Sequence, residues 1–195
     1  MHQYRGRLIV HTGSMFSGKT SSLEREIKRF QIAGYKTVAF KPKLDTRGEE
    51  QRISTHDNTH LNAVMCDNID TIAEYIENNE VDVIGIDEVQ FLEGDIQRIL
   101  DQINEFLKKK KTVVVAGLDM DFEANPFDLV KELMARADYL YKHHAVCTVC
   151  GADAWVSHRK SKDTNRIVIG ASDEYEPLCR NCYNELLDTN TNKSL

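Results

Sequence analysis

Hydrophobic positions in the first 143 residues alternate between short apolar runs and longer amphipathic segments. The apolar runs are rich in β-branched residues, which is typical of buried strands. The amphipathic segments repeat apolar residues at three- and four-residue spacing, as one face of a helix does. The predicted strands are 7–12, 36–42, 81–87, 112–118 and 138–143, and the predicted helices are 21–34, 69–78, 95–111 and 126–137.

This alternation predicts an α/β fold in which helices cover both faces of a mainly parallel sheet. Ligands of such folds bind beyond the carboxyl ends of the strands, so residues there are the first functional candidates. The pattern changes after residue 143, where paired cysteines and turn residues replace it. We therefore expect an α/β domain at 1–143 and a small second domain at 144–195.

The bulk composition narrows the class of protein. The chain has 195 residues and a net charge of −6, which argues against a general nucleic-acid-binding surface. No apolar run approaches the roughly 18 residues that a membrane-spanning helix needs. The amino-terminal segment lacks the layout of a signal peptide. We expect a cytoplasmic protein with neither nucleic acid nor membrane as a partner.

Residues 13–20, GSMFSGKT, fit the phosphate-loop pattern G-x-x-x-x-G-K-[ST]. The segment follows a predicted strand and opens a predicted helix, as the mechanism of the motif requires. Backbone N–H groups would hold the phosphates, while the lysine reaches the β- and γ-phosphates and the threonine binds Mg²⁺. The candidate ATP-binding residues are Gly13, Ser14, Met15, Phe16, Ser17, Gly18, Lys19 and Thr20.

Two carboxylates follow the strand at 81–87. Asp87 is the candidate partner of Thr20 in holding Mg²⁺. Glu88 is the candidate general base, because a carboxylate beside the transferred phosphoryl group can take the proton of an incoming hydroxyl. A surface carboxylate is the alternative for Glu88. Taken alone, Arg47, Arg159 and Lys160 are more typical of solvated surface positions than of phosphate ligands.

Two C-x-x-C pairs lie in the tail, Cys147 with Cys150 and Cys179 with Cys182. Four thiolates favour a closed, structural zinc site. A redox pair or an iron–sulfur cluster is the alternative, although neither pair opens a helix after a strand as a redox motif does. Such a clamp would pin the intervening segment 151–178 as a long hairpin or loop.

Six segments occur in an order that resembles the class II, or cytosolic-type, thymidine kinases, and in particular their bacterial members. These segments are GSMFSGKT, KPKLDTR, DEVQF, GLDMDF, AVCTVC and VIGASDEYEPLCRNCY. The resemblance implies a RecA-like phosphate-loop domain and a small zinc-ribbon-like domain that carries a substrate lasso loop. It also implies transfer of the ATP γ-phosphate to the 5′-hydroxyl of thymidine, with Mg²⁺ and with deoxyuridine as a further substrate. A homotetramer inhibited by dTTP is typical of the family.

The resemblance also assigns roles by motif. Glu88 resembles the family's catalytic base, and Cys147, Cys150, Cys179 and Cys182 resemble its zinc ligands. Asp45, Arg47, Asp87 and Gln90 fall in segments that bind ATP. The nucleoside contacts implied are Met15, Phe91, Phe122, Arg166, Ile167, Val168, Ile169, Gly170 and Tyr175.

The residues themselves leave other functions open. A phosphate-loop ATPase with a zinc-ribbon contact to nucleic acid would share the loop and the cysteines. A regulatory nucleotide-binding module without catalysis is a third possibility, although the intact Lys19, Thr20, Asp87 and Glu88 disfavour it. A kinase for another nucleoside differs from the favoured function only through the resemblance.

Overall fold

The computed structural model describes residues 5–43, 52–54, 60–161 and 174–192, with side chains at 5–43, 63–161 and 174–188. The strands are β1 (Leu8–Gly13), β2 (Thr37–Pro42), β3 (Arg52–Ser54), β4 (His60–Cys66), β5 (Val83–Ile86), β6 (Thr112–Gly117), β7 (Tyr139–His143), β8 (Ala145–Val146), β9 (Asp153–Ala154), β10 (Val156–Arg159) and β11 (Tyr175–Leu178). The helices are α1 (Lys19–Ile32), α2 (Ile69–Asn78), α3 (Ile96–Lys108), α4 (Asp128–Arg136) and α5 (Arg180–Asn192), and a 3₁₀ turn spans Val89–Phe91.

Seven strands form the central sheet in the order β3-β4-β2-β5-β6-β1-β7. Six of them run parallel, and β3 pairs with β4 in the antiparallel direction at one edge. The predicted mainly parallel sheet is therefore confirmed. Because the strands are parallel, the residues that follow β1, β2, β5 and β6 meet at one edge of the sheet.

Helices cover both faces of the sheet. Alternate residues of each strand point to opposite faces, so one strand contributes to both apolar cores. Leu8 and Val10 of β1 belong to a core shared with α2, α3 and α4. Ile9, which lies between them, packs with Leu23 and Ile27 of α1 on the other face. The loop that joins β1 to α1 lies at the carboxyl edge of the sheet, because β1 ends there.

The predicted helices form, with shifts at their ends. Side-chain caps begin two of them, since Asn68 accepts from the Thr71 amide (3.0 Å) and Asp95 accepts from the Arg98 amide (2.9 Å). The helix predicted at 126–137 begins later, at Asp128. The backbone just before it is held extended, because the Phe127 amide donates to the Asp119 carbonyl at 3.0 Å.

Two strands of the central sheet and the last described helix have no counterpart in the sequence prediction. The strands β3 and β4 lie in a segment with too many polar residues to resemble a buried strand. The helix α5 (Arg180–Asn192) lies in the tail, where the sequence pattern predicts paired cysteines and turns but no helix. Tertiary pairing and packing outweigh local pattern in both places.

The residues after β7 form a third apolar cluster of their own. It contains Ala145, Val156, Leu178 and Tyr183, and Phe16 of the phosphate loop packs against it. Two short antiparallel pairs, β8 with β9 and β10 with β11, supply its framework. The division of the chain at 143/144 stays a prediction, although this cluster is separate from the two on the sheet. Across the described residues, every helix is too short or too polar to cross a bilayer.

Candidate active site at the carboxyl edge of the sheet

The phosphate loop lies where β1 ends and α1 begins. Gly13 has φ 136°, and a Cβ atom there would stand 2.1 Å from the His143 carbonyl oxygen of β7. Only glycine therefore allows the backbone of β1 to run this close to β7. Gly18 has φ 80° and precedes the first turn of α1, so it turns the loop into the helix in a left-handed conformation.

Polar groups of the loop point inward. Lys19 is 8 % exposed, and its Nζ donates to the Ser14 carbonyl oxygen at 2.7 Å. The hydroxyl oxygens of Ser14 and Ser17 are buried, and neither has a hydrogen-bond partner within the described part of the chain. Buried polar groups are normally satisfied, so these hydroxyls fit a loop built to hold a polar ligand. The amino end of α1 adds a positive potential that suits phosphate.

Thr20 and Asp87 face each other across this edge. The Thr20 hydroxyl donates to the two carboxylate oxygens of Asp87, at 3.2 and 3.3 Å. The Asp87 amide in turn donates to the Phe40 carbonyl at 2.9 Å, which anchors the end of β5 to β2. A hydroxyl and a carboxylate are the hard oxygen ligands that Mg²⁺ prefers, so the donor set fits a divalent ion.

Asp87 is only 3 % exposed. Burial and, to a smaller extent, the charge of Glu88 raise the pKa of its carboxyl group to about 7, although Lys41, the Glu88 amide and Lys19 act in the opposite direction. A cation bound at this position would favour the ionised carboxylate. Lys41, on β2, is itself buried and supplies positive charge that sequence reasoning did not single out. A lysine in a strand gives no signal by itself that it lies beside a carboxylate.

Glu88 follows Asp87 and has an unusual backbone. Its φ is 48° and its ψ is 44°, a left-handed conformation that is strained for a residue other than glycine. The 3₁₀ turn begins directly after this residue, and the Phe91 amide donates to the Glu88 carbonyl at 3.0 Å. Gln90, on the same turn, donates from Nε2 to Glu88 Oε2 at 2.6 Å. The half-buried carboxylate is thus held on the turn that follows Asp87, close enough for its charge to raise the pKa of that residue.

Phe122, in the loop after β6, meets Arg159 of β10 near the same edge. The Arg159 guanidinium stacks on the Phe122 ring at 3.8 Å from its centroid. Arg159 also donates to the Tyr175 hydroxyl, at 2.8 Å from Nη2 and 3.2 Å from Nε. With 3 % exposure, Arg159 is buried, so its interpretation as a surface residue is wrong. The reason is the stacking on Phe122, which lies far away in sequence.

The strand β10, which contributes to the third apolar cluster, also contacts the phosphate loop directly. The Met15 amide donates to the Ser157 Oγ at 2.7 Å, and both groups are buried. Ser157 belongs to β10, so this bond joins the loop to the region between the cysteine pairs. Sequence analysis did not identify Ser157, because a single serine in a strand carries no signal for a partner 142 positions away.

The four cysteines of the tail converge. Their sulfur atoms all lie within 4.8 Å of one another, and Cys150 Sγ is 3.6 Å from Cys179 Sγ. Zinc–sulfur bonds of about 2.3 Å in a tetrahedron place the sulfur atoms about 3.8 Å apart, so the set fits a zinc ion. Cys66, the fifth cysteine, is buried at the end of β4, and burial raises the pKa of its thiol to about 12.

The structure brings many of the predicted site residues together and leaves some untested. Met15, Phe91, Phe122 and Tyr175 all belong to segments at the carboxyl edge or in the cluster beside it. Asp45, Arg47, Arg166, Ile167, Val168, Ile169 and Gly170 lie outside the described residues. Their roles stay predictions.

Comparison with known proteins identifies the family. A model of the thymidine kinase family matches residues 6–183. The chain belongs to the thymidine kinase family. A thymidine kinase of Bacteroides fragilis is 40 % identical over 190 residues, which cover 97 % of this chain and 93 % of that protein. Thymidine kinases of Bacteroides thetaiotaomicron (41 % over 179 residues, covering 92 % and 87 %) and of a Rhodothermus species (39 % over 186 residues, covering 95 % and 85 %) are similar at comparable length.

Membership in the thymidine kinase family confirms the predicted bacterial thymidine kinase, and with it ATP and a divalent metal ion as parts of the reaction. The flagellar accessory protein FlaH of Methanocaldococcus jannaschii shares the fold, with a TM-score of 0.53 over 76 % of this chain and 75 % of that chain. At 15 % identity, that likeness concerns the fold alone.

Proposed function

We propose that the chain transfers the γ-phosphate of ATP to the 5′-hydroxyl of thymidine, giving dTMP and ADP for nucleotide salvage. The observation that supports this most is the placement of Glu88 beside the Thr20–Asp87 pair, next to a loop whose lysine is buried against its own backbone. Deoxyuridine is the expected second substrate, because it differs from thymidine by one methyl group and small apolar differences are weakly discriminated.

The phosphate loop would hold the triphosphate through its backbone N–H groups and Lys19. Thr20 and Asp87 would hold Mg²⁺, which when bound neutralises charge on the phosphate oxygens. Asp45, Arg47 and Gln90 are the further candidates for ATP contacts. The ammonium of Lys19 would exchange the Ser14 carbonyl for a phosphate oxygen, an acceptor that forms stronger, charge-assisted hydrogen bonds.

Glu88 would act on the nucleoside. Its carboxylate takes the proton of the 5′-hydroxyl while the 5′-oxygen bonds to the γ-phosphorus. The bond from that phosphorus to the β–γ bridging oxygen breaks at the same time, and ADP leaves with the electron pair. The strained backbone of Glu88 sets the position from which the carboxylate reaches the hydroxyl.

The nucleoside would lie between the phosphate loop and the small domain. One face of the Phe122 ring carries Arg159, so the base would pack on the opposite face. Met15, Phe91 and Tyr175 would line the same pocket. Residues 166–170 would close over the base as a lasso and exclude water from the γ-phosphate, which suppresses ATP hydrolysis.

Several properties complete the proposal. The cysteine cluster would hold structural Zn²⁺ and so fix the ends of the lasso segment. The chain would divide into an ATP-binding domain at 1–143 and a zinc-binding domain at 144–195. It would act in the cytoplasm as a homotetramer, and dTTP would inhibit it as an end product.

A substrate panel tests the proposed activity. Purified protein is incubated with ATP, Mg²⁺ and each natural nucleoside in turn, and the monophosphate is detected by mass spectrometry. We expect dTMP as the main product and dUMP as the second. Phosphate release that depends on added DNA, without any nucleoside monophosphate, would instead support the ATPase.

A further inference from the structure

Gln90 lies between Glu88 and the strand that neighbours β5. Its Nε2 donates to Glu88 Oε2 at 2.6 Å, and its Oε1 accepts from the Leu118 amide at 3.1 Å. Leu118 is the first residue after β6. A single side-chain amide therefore connects the carboxylate at the end of one strand to the backbone at the end of the next.

The orientation of this amide is determined by its partners. A backbone N–H can only donate, so the oxygen of the Gln90 amide must face Leu118. Its NH₂ group must then face Glu88, where it can only donate to the carboxylate. A hydrogen bond to a charged acceptor is stronger and more directional than one between neutral groups, so it restricts rotation of the Glu88 side chain.

The space for the amide depends on Gly117. A Cβ atom at Gly117 would stand 2.8 Å from Gln90 Oε1 and 2.8 Å from a methyl carbon of Val89. Val89 is fully buried, so it has little room to yield. The glycine at the end of β6 thus allows the amide to lie close to the backbone that it bonds.

We propose that Gln90 is a positioning residue for Glu88, not chiefly an ATP ligand. It holds the carboxylate that accepts the proton and ties it to the loop after β6, which carries Phe122. The position of the base is thereby coupled to the segment on which the nucleoside packs. This inference rests on the proposed function, in which Glu88 is the general base.

The first test replaces Gln90 with methionine, which keeps length and volume but removes both hydrogen bonds. We expect kcat for thymidine to fall about 10- to 100-fold, as for the loss of one hydrogen bond to a charged group. The KM values for ATP and thymidine should stay within about threefold, because ground-state contacts are kept. Gln97→Met, on the exposed face of α3, is the matched control and should leave kcat unchanged.

A second variant reaches the same amide without changing it. Gly117→Ala places a methyl group against Gln90 Oε1 and should lower kcat about 3- to 30-fold, because small misplacements of a reacting group are costly. An unaltered kcat in a folded Gly117→Ala protein would contradict the positioning role. Thermal unfolding of each variant shows whether it is folded.

A double-mutant cycle separates positioning from a merely structural role. In a Glu88→Gln background, Gln90→Met should cause little further loss of kcat, because the group that it positions is already gone. Equal losses in both backgrounds would overturn the inference. If Glu88→Gln alone keeps normal turnover, the general-base assignment fails. If that variant is slow while Gln90→Met is normal, only the inference fails.

Discussion

The hydrogen bond between the phosphate loop and β10 yields a quantitative prediction. Ser157 Oγ accepts from the Met15 amide at 2.7 Å, and Ser157 is 3 % exposed. Ser157→Ala removes the acceptor and leaves a buried N–H group without it. Since the substitution removes a single oxygen atom, little packing is lost, and the measured change reports mainly on the hydrogen bond.

An unsatisfied buried donor costs about 1–3 kcal/mol in free energy of unfolding. For a chain of this size, each kcal/mol corresponds to roughly 2–4 °C in the unfolding temperature. We therefore expect Ser157→Ala to lower the unfolding temperature by roughly 2–12 °C. Ser161→Ala, at an exposed serine of the same region, is the control and should change it by less than about 2 °C.

The assay is thermal unfolding monitored by circular dichroism, with and without a zinc chelator. Chelation should disorder β10, and the contact with Met15 should then be absent in both proteins. The difference between wild type and Ser157→Ala should accordingly shrink after chelation. Equal unfolding temperatures for Ser157→Ala and Ser161→Ala in zinc-loaded protein would refute the reasoning.

Three other predictions follow from the site. Glu88→Gln should lower kcat by about 10²–10⁴, the contribution of a positioned general base, with ATP affinity nearly unchanged in calorimetry; normal turnover would exclude the base assignment. Cys150→Ser should lose bound zinc, measured by atomic absorption, and raise the KM for thymidine, whereas a metal-free protein with normal KM would contradict the clamp. His11 is buried, with its Nδ1 atom 3.0 Å from Nε2 of His143, and burial lowers the pKa of its imidazole to about 4 from the ordinary 6.5. Between pH 6.5 and pH 4 the unfolded chain therefore binds more protons than the folded one, so the free energy of unfolding should decrease as the pH falls through this range. Urea unfolding at several pH values should show a smaller decrease for His11→Asn than for the wild type.

The sequence was sufficient for elements whose signals are local. The segment from Gly13 to Thr20 combines a buried strand, a loop with a fixed pattern and a helix, and each part is visible in a few adjacent residues. Asp87 and Glu88 follow a strongly apolar run, so their place at the carboxyl edge follows from the parallel sheet alone. The cysteine spacing is likewise a local signal.

Contacts between distant segments could not be read in this way. Arg159 resembles a surface residue until the Phe122 ring is placed beside it, 37 positions earlier in the chain. The hydrogen bond from the Met15 amide to Ser157 depends on how the third apolar cluster packs beside the sheet. The segment of β4 carries too mixed a pattern to predict a strand, and its pairing with β2 supplies the stability that its residues do not signal.

Gly13 and Lys19 belong to one motif, yet the backbone packing of the fold requires only the glycine. The His143 carbonyl excludes any side chain at position 13, whether or not a nucleotide is ever bound. The buried ammonium of Lys19 carries a desolvation cost that folding alone would not favour. In a mutational library, a screen for folded protein alone would therefore retain the glycine and relax the lysine. Only a screen for phosphate transfer would retain both, so a protein that kept the fold and lost the chemistry would show this history in its phosphate loop.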